Sequence, residues 1–151
     1  RDVPGVAMVI TLGTGVGSAT FVDGKLVPNT ELGHLLLHGD AAERYMASSI
    51  REKEDLDWET WGARLQEYFS HVEFLFSPTR IIVGGGVSKK HQKFLPLLDL
   101  KTEIVPATLR NEAGIVGAAA LAQLEKKSLA KAEKKAAKQT EKKKAKAASE
   151  N

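Results

Sequence analysis

The chain has 151 residues, of which 42% are apolar and none is cysteine, and its formal net charge is +3. This length allows one domain or the larger part of a two-domain enzyme, with enough apolar residues for a core. The absence of cysteine excludes disulfides and thiolate metal sites. Since no signal peptide or membrane-spanning apolar run is recognisable, we expect a soluble protein with a cytoplasmic location.

Charge divides the chain into two parts. Residues 125–151 contain ten lysines and four glutamates, whereas residues 1–124 have a net charge of −3. The lysine- and alanine-rich tail has too little apolar surface to form a core, so we expect a frayed helix or a disordered segment there. The tail is either a plain solvated extension or a segment that attracts a polyanion, such as a nucleic acid or a membrane surface.

The first predicted elements are strands. Val6–Leu12 and residues 19–22 are apolar runs separated by glycines, and Lys25–Val27 follows an Asp23-Gly24 turn. This pattern predicts a three-stranded meander that ends at residues 28–30. The strand-like sequence starts within a few residues of Arg1, which is not a methionine, so we expect the chain to be a piece of a longer protein.

Two helices are predicted next. Residues 41–54 are compatible with a helix, and from Asp57, the predicted N-cap, apolar side chains recur every three or four positions. Ser77-Pro78 ends this second helix.

Strands and helices alternate in the rest of the chain. Strands are predicted at residues 80–83 and 102–106, with a helical stretch between them that begins at Ser88 and reaches about residue 98. A last helix opens at Asn111. An early meander followed by this alternation predicts an α/β fold in which the later strands are parallel.

The glycine-rich turn between the first two strands is the strongest functional signal. Gly13, Thr14, Gly15 and Gly17 allow backbone N–H groups to converge on an anion, for which phosphate is the natural candidate. A strand follows this turn, whereas a dinucleotide fingerprint or a P-loop requires a helix there. The sequence therefore predicts a phosphate-binding β-hairpin, with an ordinary tight turn as the alternative.

Two further motifs carry groups that suit ligand binding. Glu31 and His34 offer a carboxylate and an imidazole that together suit the hydroxyls of a polyol, although a surface glutamate and a structural histidine remain the simpler interpretation. An isolated Glu-x-x-His could also be half of a metal site, but no further ligands are evident. Gly84, Gly85 and Gly86 open from a strand onto the predicted helix at Ser88, which indicates either an anion site or a close crossover.

The order of these motifs resembles the ROK family of sugar kinases. Four stretches carry the resemblance: Leu12-Gly13-Thr14-Gly15-Val16-Gly17, Asn29-Thr30-Glu31-Leu32-Gly33-His34, Gly84-Gly85-Gly86-Val87-Ser88-Lys89-Lys90 and Asn111-Glu112-Ala113-Gly114-Ile115-Val116-Gly117-Ala118-Ala119. The resemblance covers residues 3–124 and implies the larger α/β domain of an actin-like, ribonuclease H-like ATPase. Many members have a cysteine-rich zinc site after the Glu-Leu-Gly-His motif, and its absence here is typical of the polyphosphate glucokinase branch.

The resemblance also implies roles for single residues. It assigns Gly13, Thr14, Gly15 and Gly17 to the phosphoryl donor and Asn29, Glu31 and His34 to glucose. Gly84, Gly85, Gly86 and Ser88 are expected beside the nucleotide or the polyphosphate. The family's catalytic base is an aspartate in an Asn-Asp loop upstream of the glycine hairpin, so no catalytic residue is expected within this chain.

The implied function is transfer of a phosphoryl group from polyphosphate or ATP to the 6-hydroxyl of glucose, with Mg²⁺ and without zinc. A homodimer is implied, and neither a membrane nor a nucleic acid partner is expected. Two alternatives stay open at this point. One is a non-catalytic, sugar-responsive module of a ROK-type transcriptional repressor, and the other is polyanion binding by the lysine-rich tail as the main activity.

Overall fold

The computed structural model describes residues 4–107, in which strands and helices alternate after an initial meander. The strands are β1 Val6–Leu12, β2 Val16–Val22, β3 Lys25–Val27, β4 Leu36–Leu37, β5 Asp40–Ala41, β6 Arg80–Gly84 and β7 Glu103–Pro106. The α-helices are α1 Glu43–Met46, α2 Ser48–Lys53 and α3 Trp58–Phe76. 3-10 helices occupy Leu32–His34, Gly86–Lys93 and Leu95–Leu97.

Five strands form one mixed sheet in the order β3-β2-β1-β6-β7. β1 pairs antiparallel with β2, and β2 with β3, which confirms the predicted meander. β1 pairs in parallel with β6, and β6 with β7, so the later strands are parallel as predicted. The small pair β4 and β5 lies outside this sheet.

The Asp23-Gly24 turn between β2 and β3 is built as the sequence predicts. Asp23 and Gly24 have positive φ angles of 49° and 75°, the conformation that short hairpin turns require. β2 begins three residues earlier than predicted, because its pairing with β1 continues until Leu12 faces Val16. Only Gly13, Thr14 and Gly15 remain as the loop of the first hairpin.

The helix predicted from Asp57 is α3. The Oδ1 atom of Asp57 accepts a hydrogen bond from the Thr60 N–H at 2.7 Å, as expected of an N-cap. The helix ends at Ser77, whose φ is 42°. Its apolar face joins the core formed with alternate residues of β1, and the buried members are Met8, Ile10 and Leu12 of β1 and Trp61, Leu65, Tyr68, Phe69 and Val72 of α3.

The helix predicted over residues 41–54 is two helices. Ala47 has a φ of −58° and a ψ of 153°, which interrupts the helix between α1 and α2. The indole Nε1 of the buried Trp61 donates a hydrogen bond to the Met46 carbonyl at 3.0 Å. This bond uses a carbonyl at the end of α1 and holds α1 against α3.

The prediction that Ser88 caps a helix is wrong. The N-cap of the 3-10 helix Gly86–Lys93 is Gly85, whose φ of 86° turns the chain earlier than the sequence suggested. Ser88 is fully buried, and its hydroxyl donates a hydrogen bond to the Gly85 carbonyl at 2.7 Å. The serine therefore stabilises the turn from within.

The helix predicted from Asn111 and the tail over residues 125–151 lie outside the described residues. Within residues 4–107, no helix combines the length and the apolar character that crossing a membrane demands.

Candidate functional site

The first hairpin loop is held by its own backbone and by α2. The Gly13 N–H donates a hydrogen bond to the Gly15 carbonyl at 3.0 Å. Ser49 supplies two more donors, since its N–H bonds the Gly13 carbonyl at 3.1 Å and its hydroxyl bonds the Thr14 carbonyl at 2.6 Å. All three loop carbonyls are therefore satisfied by protein donors.

This arrangement decides which loop groups can face an anion. The loop carbonyl oxygens accept hydrogen bonds from Ser49 and Gly13, so each already has a donor within the protein. Within residues 4–107, the N–H groups of Thr14 and Gly15 have no acceptor in the protein. Backbone N–H groups left free in a turn form an anion-binding concavity, and Thr14 and Gly15 are the loop residues that offer them.

The fourth predicted phosphate residue, Gly17, lies in β2 rather than in the loop. It pairs with Thr11, whose hydroxyl donates to the Gly17 carbonyl at 3.4 Å. A Cβ at Gly17 would come within 2.7 Å of that hydroxyl oxygen. Close packing across the strands therefore explains this glycine.

The predicted sugar-binding residues lie on one segment packed against β2. Asn29 is exposed in the turn after β3 with a φ of 60°. Glu31 is the N-cap of the 3-10 helix that contains His34, and both side chains are exposed. The Ser18 hydroxyl anchors the segment by donating to the Thr30 carbonyl at 2.6 Å and accepting from the Leu32 N–H at 2.8 Å.

Glu43 connects this segment to the hairpin. Its Oε2 atom accepts a hydrogen bond from the Val16 N–H at 3.2 Å, and its Oε1 atom lies 3.8 Å from His34 Nε2. The same carboxylate occupies the space beside Gly15, where a Cβ would come within 2.6 Å of Oε2. Sequence reasoning missed Glu43, because it reaches the hairpin 27 residues away through tertiary structure alone.

A cavity of about 280 Å³ opens beside the hairpin loop. It brings together two of the predicted phosphate residues, Gly13 and Thr14, with Gly86 of the later glycine run. The full lining is Gly13, Thr14, Ser48, Ser49, Arg51, Glu52, Trp58, Gly86, Val87 and Lys90. Sequence reasoning missed Ser49, Arg51, Trp58 and Lys90, whose positions depend on how α2, the start of α3 and the 3-10 helix Gly86–Lys93 converge.

The other residues predicted in this region, Gly84, Gly85 and Ser88, lie outside the cavity lining. A Cβ at Gly85 would collide with the Leu12 carbonyl, and one at Gly84 would come within 3.3 Å of the Thr11 methyl group. Ser88 is buried beneath them. These residues let β6 and its following turn pass close to β1, which positions Gly86 at the cavity.

The donor atoms available for a metal are few. Among residues 4–107, no group of three or more histidine, aspartate or glutamate side chains could hold an ion. The carboxylate on the cavity wall belongs to Glu52. Because Mg²⁺ is commonly held by one or two carboxylates together with substrate phosphates, the described residues fit an ion carried by a phosphate ligand rather than a resident metal centre.

Curated proteins of known activity resemble this chain. No protein-family model matches it. The polyphosphate glucokinase of Mycobacterium tuberculosis (strain CDC 1551 / Oshkosh) is 44% identical over 119 residues, which cover 79% of this chain and 45% of that protein. The chain thus spans about half the length of the curated polyphosphate glucokinases that it matches.

Solved structures have the same fold. The inorganic polyphosphate/ATP-glucomannokinase from Arthrobacter sp. strain KM has a TM-score of 0.81 and 58% identity, over 83% of this chain and 49% of that chain. A ROK family glucokinase from Streptomyces griseus has a TM-score of 0.67 at 18% identity, over 77% of this chain and 60% of that one, and shows the fold alone. The predicted actin-like α/β fold is confirmed. The chain is therefore similar to the polyphosphate glucokinases and has the fold of the ROK sugar kinases.

Proposed function

We propose that the protein transfers the terminal phosphoryl group of polyphosphate or ATP to the 6-hydroxyl of glucose. The observation that carries this proposal is the position of the first hairpin loop between two groups of polar residues. The cavity with Thr14 lies against the loop, and Glu43 joins Gly15 and Val16 to His34. Phosphoryl transfer needs donor and acceptor side by side, and one shared hairpin supplies that proximity.

On the donor side, the proposal assigns the terminal phosphates to the cavity. The N–H group of Thr14, a residue of the cavity wall, acts as a fixed hydrogen-bond donor, and Ser49 satisfies the carbonyls of Gly13 and Thr14. Fixed donors need no reorganisation when charge develops on the transferred group. Arg51 and Lys90 add positive charge on the cavity wall. Mg²⁺ carried by the donor phosphates would offset part of their charge.

On the acceptor side, the proposal assigns glucose to Glu31, His34 and Glu43. A carboxylate accepts hydrogen bonds from two neighbouring hydroxyls, and a neutral imidazole can both donate and accept. Because Glu43 also holds the Val16 N–H, a sugar bound to it is fixed relative to the hairpin. We assign no catalytic base within residues 4–107. The family resemblance gives that role to an aspartate of an upstream Asn-Asp loop, and the 12 residues before Gly13 contain no Asn-Asp pair.

A sugar-responsive repressor module would share the fold but needs no phosphate donor. The 44% and 58% identities to phosphotransferases, together with the cavity beside the glycine hairpin, favour the kinase. We also propose a homodimer, as the family resemblance implies, and sedimentation velocity would test it.

The experiment that tests the proposed function is a coupled assay for glucose 6-phosphate with polyphosphate and with ATP. It compares this chain alone with this chain joined to the upstream portion of its M. tuberculosis relative. We expect turnover only in the joined protein, since general-base assistance contributes about 10²–10⁴-fold. A folded joined protein that binds glucose but phosphorylates it from neither donor would contradict the proposal.

A further inference from the structure

The bend between α1 and α2 redirects a backbone donor to the first hairpin loop. In a continuous helix, the Ser49 N–H would bond the carbonyl four residues earlier, that of Tyr45. Instead it bonds the Gly13 carbonyl at 3.1 Å, and the Ser49 hydroxyl bonds the Thr14 carbonyl at 2.6 Å. The bend at Ala47 thus makes the contact between α2 and the loop possible.

The bend also leaves two carbonyls of α1 without their helical partners, and side chains of α3 supply donors to both. The Nη1 atom of Arg64 donates to the Tyr45 carbonyl at 2.9 Å. The indole Nε1 of the buried Trp61 donates to the Met46 carbonyl at 3.0 Å, whose usual helical partner, the Ile50 N–H, bonds elsewhere. Because a buried carbonyl without a donor is costly, these two bonds stabilise the bend relative to a straight helix.

Arg64 contacts both sides of the bend. Its Nη2 atom lies 2.7 Å from the Oε2 atom of Glu54, the residue that ends α2, and its Cζ atom lies 4.7 Å from the centroid of the Tyr45 ring. The Arg64 side chain is only 19% exposed, so water screens this ion pair less than it screens a surface pair. One side chain of α3 therefore fixes the angle between α1 and α2.

The two short helices contact the hairpin loop at its two ends. α1 carries Glu43, which accepts a hydrogen bond from the Val16 N–H just after the loop at 3.2 Å, and α2 carries Ser49. Helices of four and six residues are too short to be stable by themselves in water. Their contacts with α3 therefore decide where Glu43 and Ser49 lie relative to each other.

We propose that Trp61 and Arg64 are positioning residues for phosphoryl transfer, because they hold the bend that places Glu43 and Ser49 on one hairpin loop. This inference rests on the proposed function, in which glucose lies at Glu43 and the donor phosphates lie at the loop. Neither Trp61 nor Arg64 lines the cavity, so neither needs to touch the donor. Loss of either side chain lets the angle between α1 and α2 vary, and a misplacement of about 1 Å can reduce the rate about 10²-fold.

The test measures kcat and KM in the joined protein, for glucose and for the better of the two donors, polyphosphate or ATP. Trp61→Phe keeps an aromatic ring and removes the indole N–H. Arg64→Met keeps an unbranched side chain and removes the contacts with both sides of the bend. The controls are Val72→Ala, which removes buried apolar volume elsewhere on α3, and Arg80→Met, which removes an arginine paired with Glu103 at 2.6 Å.

We expect Trp61→Phe and Arg64→Met each to lower kcat by about tenfold or more and to change both KM values by less than about threefold, because misalignment reduces the rate while each ligand keeps its own contacts. The controls should keep kcat within about twofold, even where Val72→Ala lowers the melting temperature as much as Trp61→Phe does. Equal kcat in variants and controls, or a loss confined to KM, would overturn the inference. If Trp61→Phe does not fold, the comparison of Arg64→Met with Arg80→Met decides alone.

Amide hydrogen exchange of the 151-residue chain separates this inference from the proposed function. We expect the Ser49 amide, which bonds the loop, to exchange about tenfold faster in Trp61→Phe and Arg64→Met than in the controls. If it does so while the joined protein makes no glucose 6-phosphate, the proposed function fails and the two residues still hold the bend. If glucose 6-phosphate forms while the substitutions change neither the exchange nor kcat, the inference fails alone.

Discussion

In the proposed function, the acceptor side depends on Glu43. Its two oxygens serve different partners, because Oε2 accepts from the Val16 N–H and Oε1 faces His34 at 3.8 Å. Glutamine keeps an oxygen for Val16 and loses the negative charge. The substitution Glu43→Gln therefore separates the structural contact from the charge.

We predict that Glu43→Gln weakens glucose binding by about tenfold while the melting temperature changes little, since hydrogen bonds to charged groups contribute roughly 1.5–3 kcal/mol. Calorimetry with glucose measures the first effect and thermal unfolding the second. Glu67→Gln is the matched control, because Glu67 also pairs with a histidine, His38, at 2.8 Å but does not contact the hairpin. Unchanged glucose affinity in Glu43→Gln would remove Glu43 from the site.

The glycine of the Glu-Leu-Gly-His motif illustrates how a short element is fixed. A Cβ at Gly33 would collide with the Val16 carbonyl, and a backbone atom within a strand cannot move aside easily. A Cβ at Gly13, in the hairpin loop, would meet no atom within 4 Å, and the φ of Gly13 is not positive. Packing therefore requires glycine at position 33 and does not require it at position 13.

We predict that Gly33→Ala lowers the free energy of unfolding by about 1–3 kcal/mol, the usual cost of overpacking. Gly13→Ala should stay within about 0.5 kcal/mol of the original chain. Urea titrations of both variants measure the difference. Equal stability of the two variants would show that the Leu32–His34 helix is not tightly packed on β2.

The N-cap of α3 is expected to make the stability of the fold depend on pH. Hydrogen bonds from Thr60 hold the pKa of Asp57 below its usual value of 3.8, and Arg51 acts in the same direction. A carboxyl group whose pKa is lower in the folded state stabilises the fold above its unfolded pKa, and this stabilisation is lost as the pH falls through the folded pKa.

Asp57→Ala should therefore lower the melting temperature at neutral pH, and the difference from the original chain should shrink below about pH 4. Asp57→Asn is the control, since an amide oxygen can still accept from Thr60 but does not titrate. Melting temperatures from neutral pH to about pH 2 provide the measurement. A difference that grows toward acid pH would contradict the assigned direction of the pKa shift.

Periodicity explains which elements could be predicted from the sequence. β1, β3, α3 and the parallel order of the later strands follow from apolar spacing and turn residues, which act locally. The break at Ala47 could not be predicted, because a tertiary bond from Trp61 to Met46 accompanies it and the local sequence favours one helix. The start of the 3-10 helix at Gly86 depends on a close approach to β1.

The same distinction applies to the candidate site. Glycine motifs and the Glu31/His34 pair are visible as short patterns. The glycine patterns predict phosphate binding at Gly13, Thr14, Gly15 and Gly17 and an anion site or a close crossover at Gly84, Gly85, Gly86 and Ser88. Of these residues, Gly13, Thr14 and Gly86 line the cavity. Glu43 and Ser49 act on the hairpin from 27 and 35 residues away, and no local pattern marks them. Long-range contacts of this kind need the fold.

For the molecule as a whole, residues 125–151 remain a prediction from composition. We expect deletion of residues 126–151 to leave the melting temperature of the rest nearly unchanged, since a charged segment with little apolar surface contributes little burial. Differential scanning calorimetry of the two chains is the measurement. A drop of many degrees would show that the tail stabilises the domain.

In the proposed function one hairpin serves two ligands, with glucose at Glu43 and His34 and donor phosphates at Thr14 and Gly86. Amide chemical-shift mapping of the 151-residue chain tests it most directly, with glucose and tripolyphosphate added separately. We predict that glucose shifts the amide signals of His34 and Glu43, whereas tripolyphosphate shifts those of Thr14 and Gly86. Shifts by either ligand that leave the hairpin and its neighbours untouched would contradict the account.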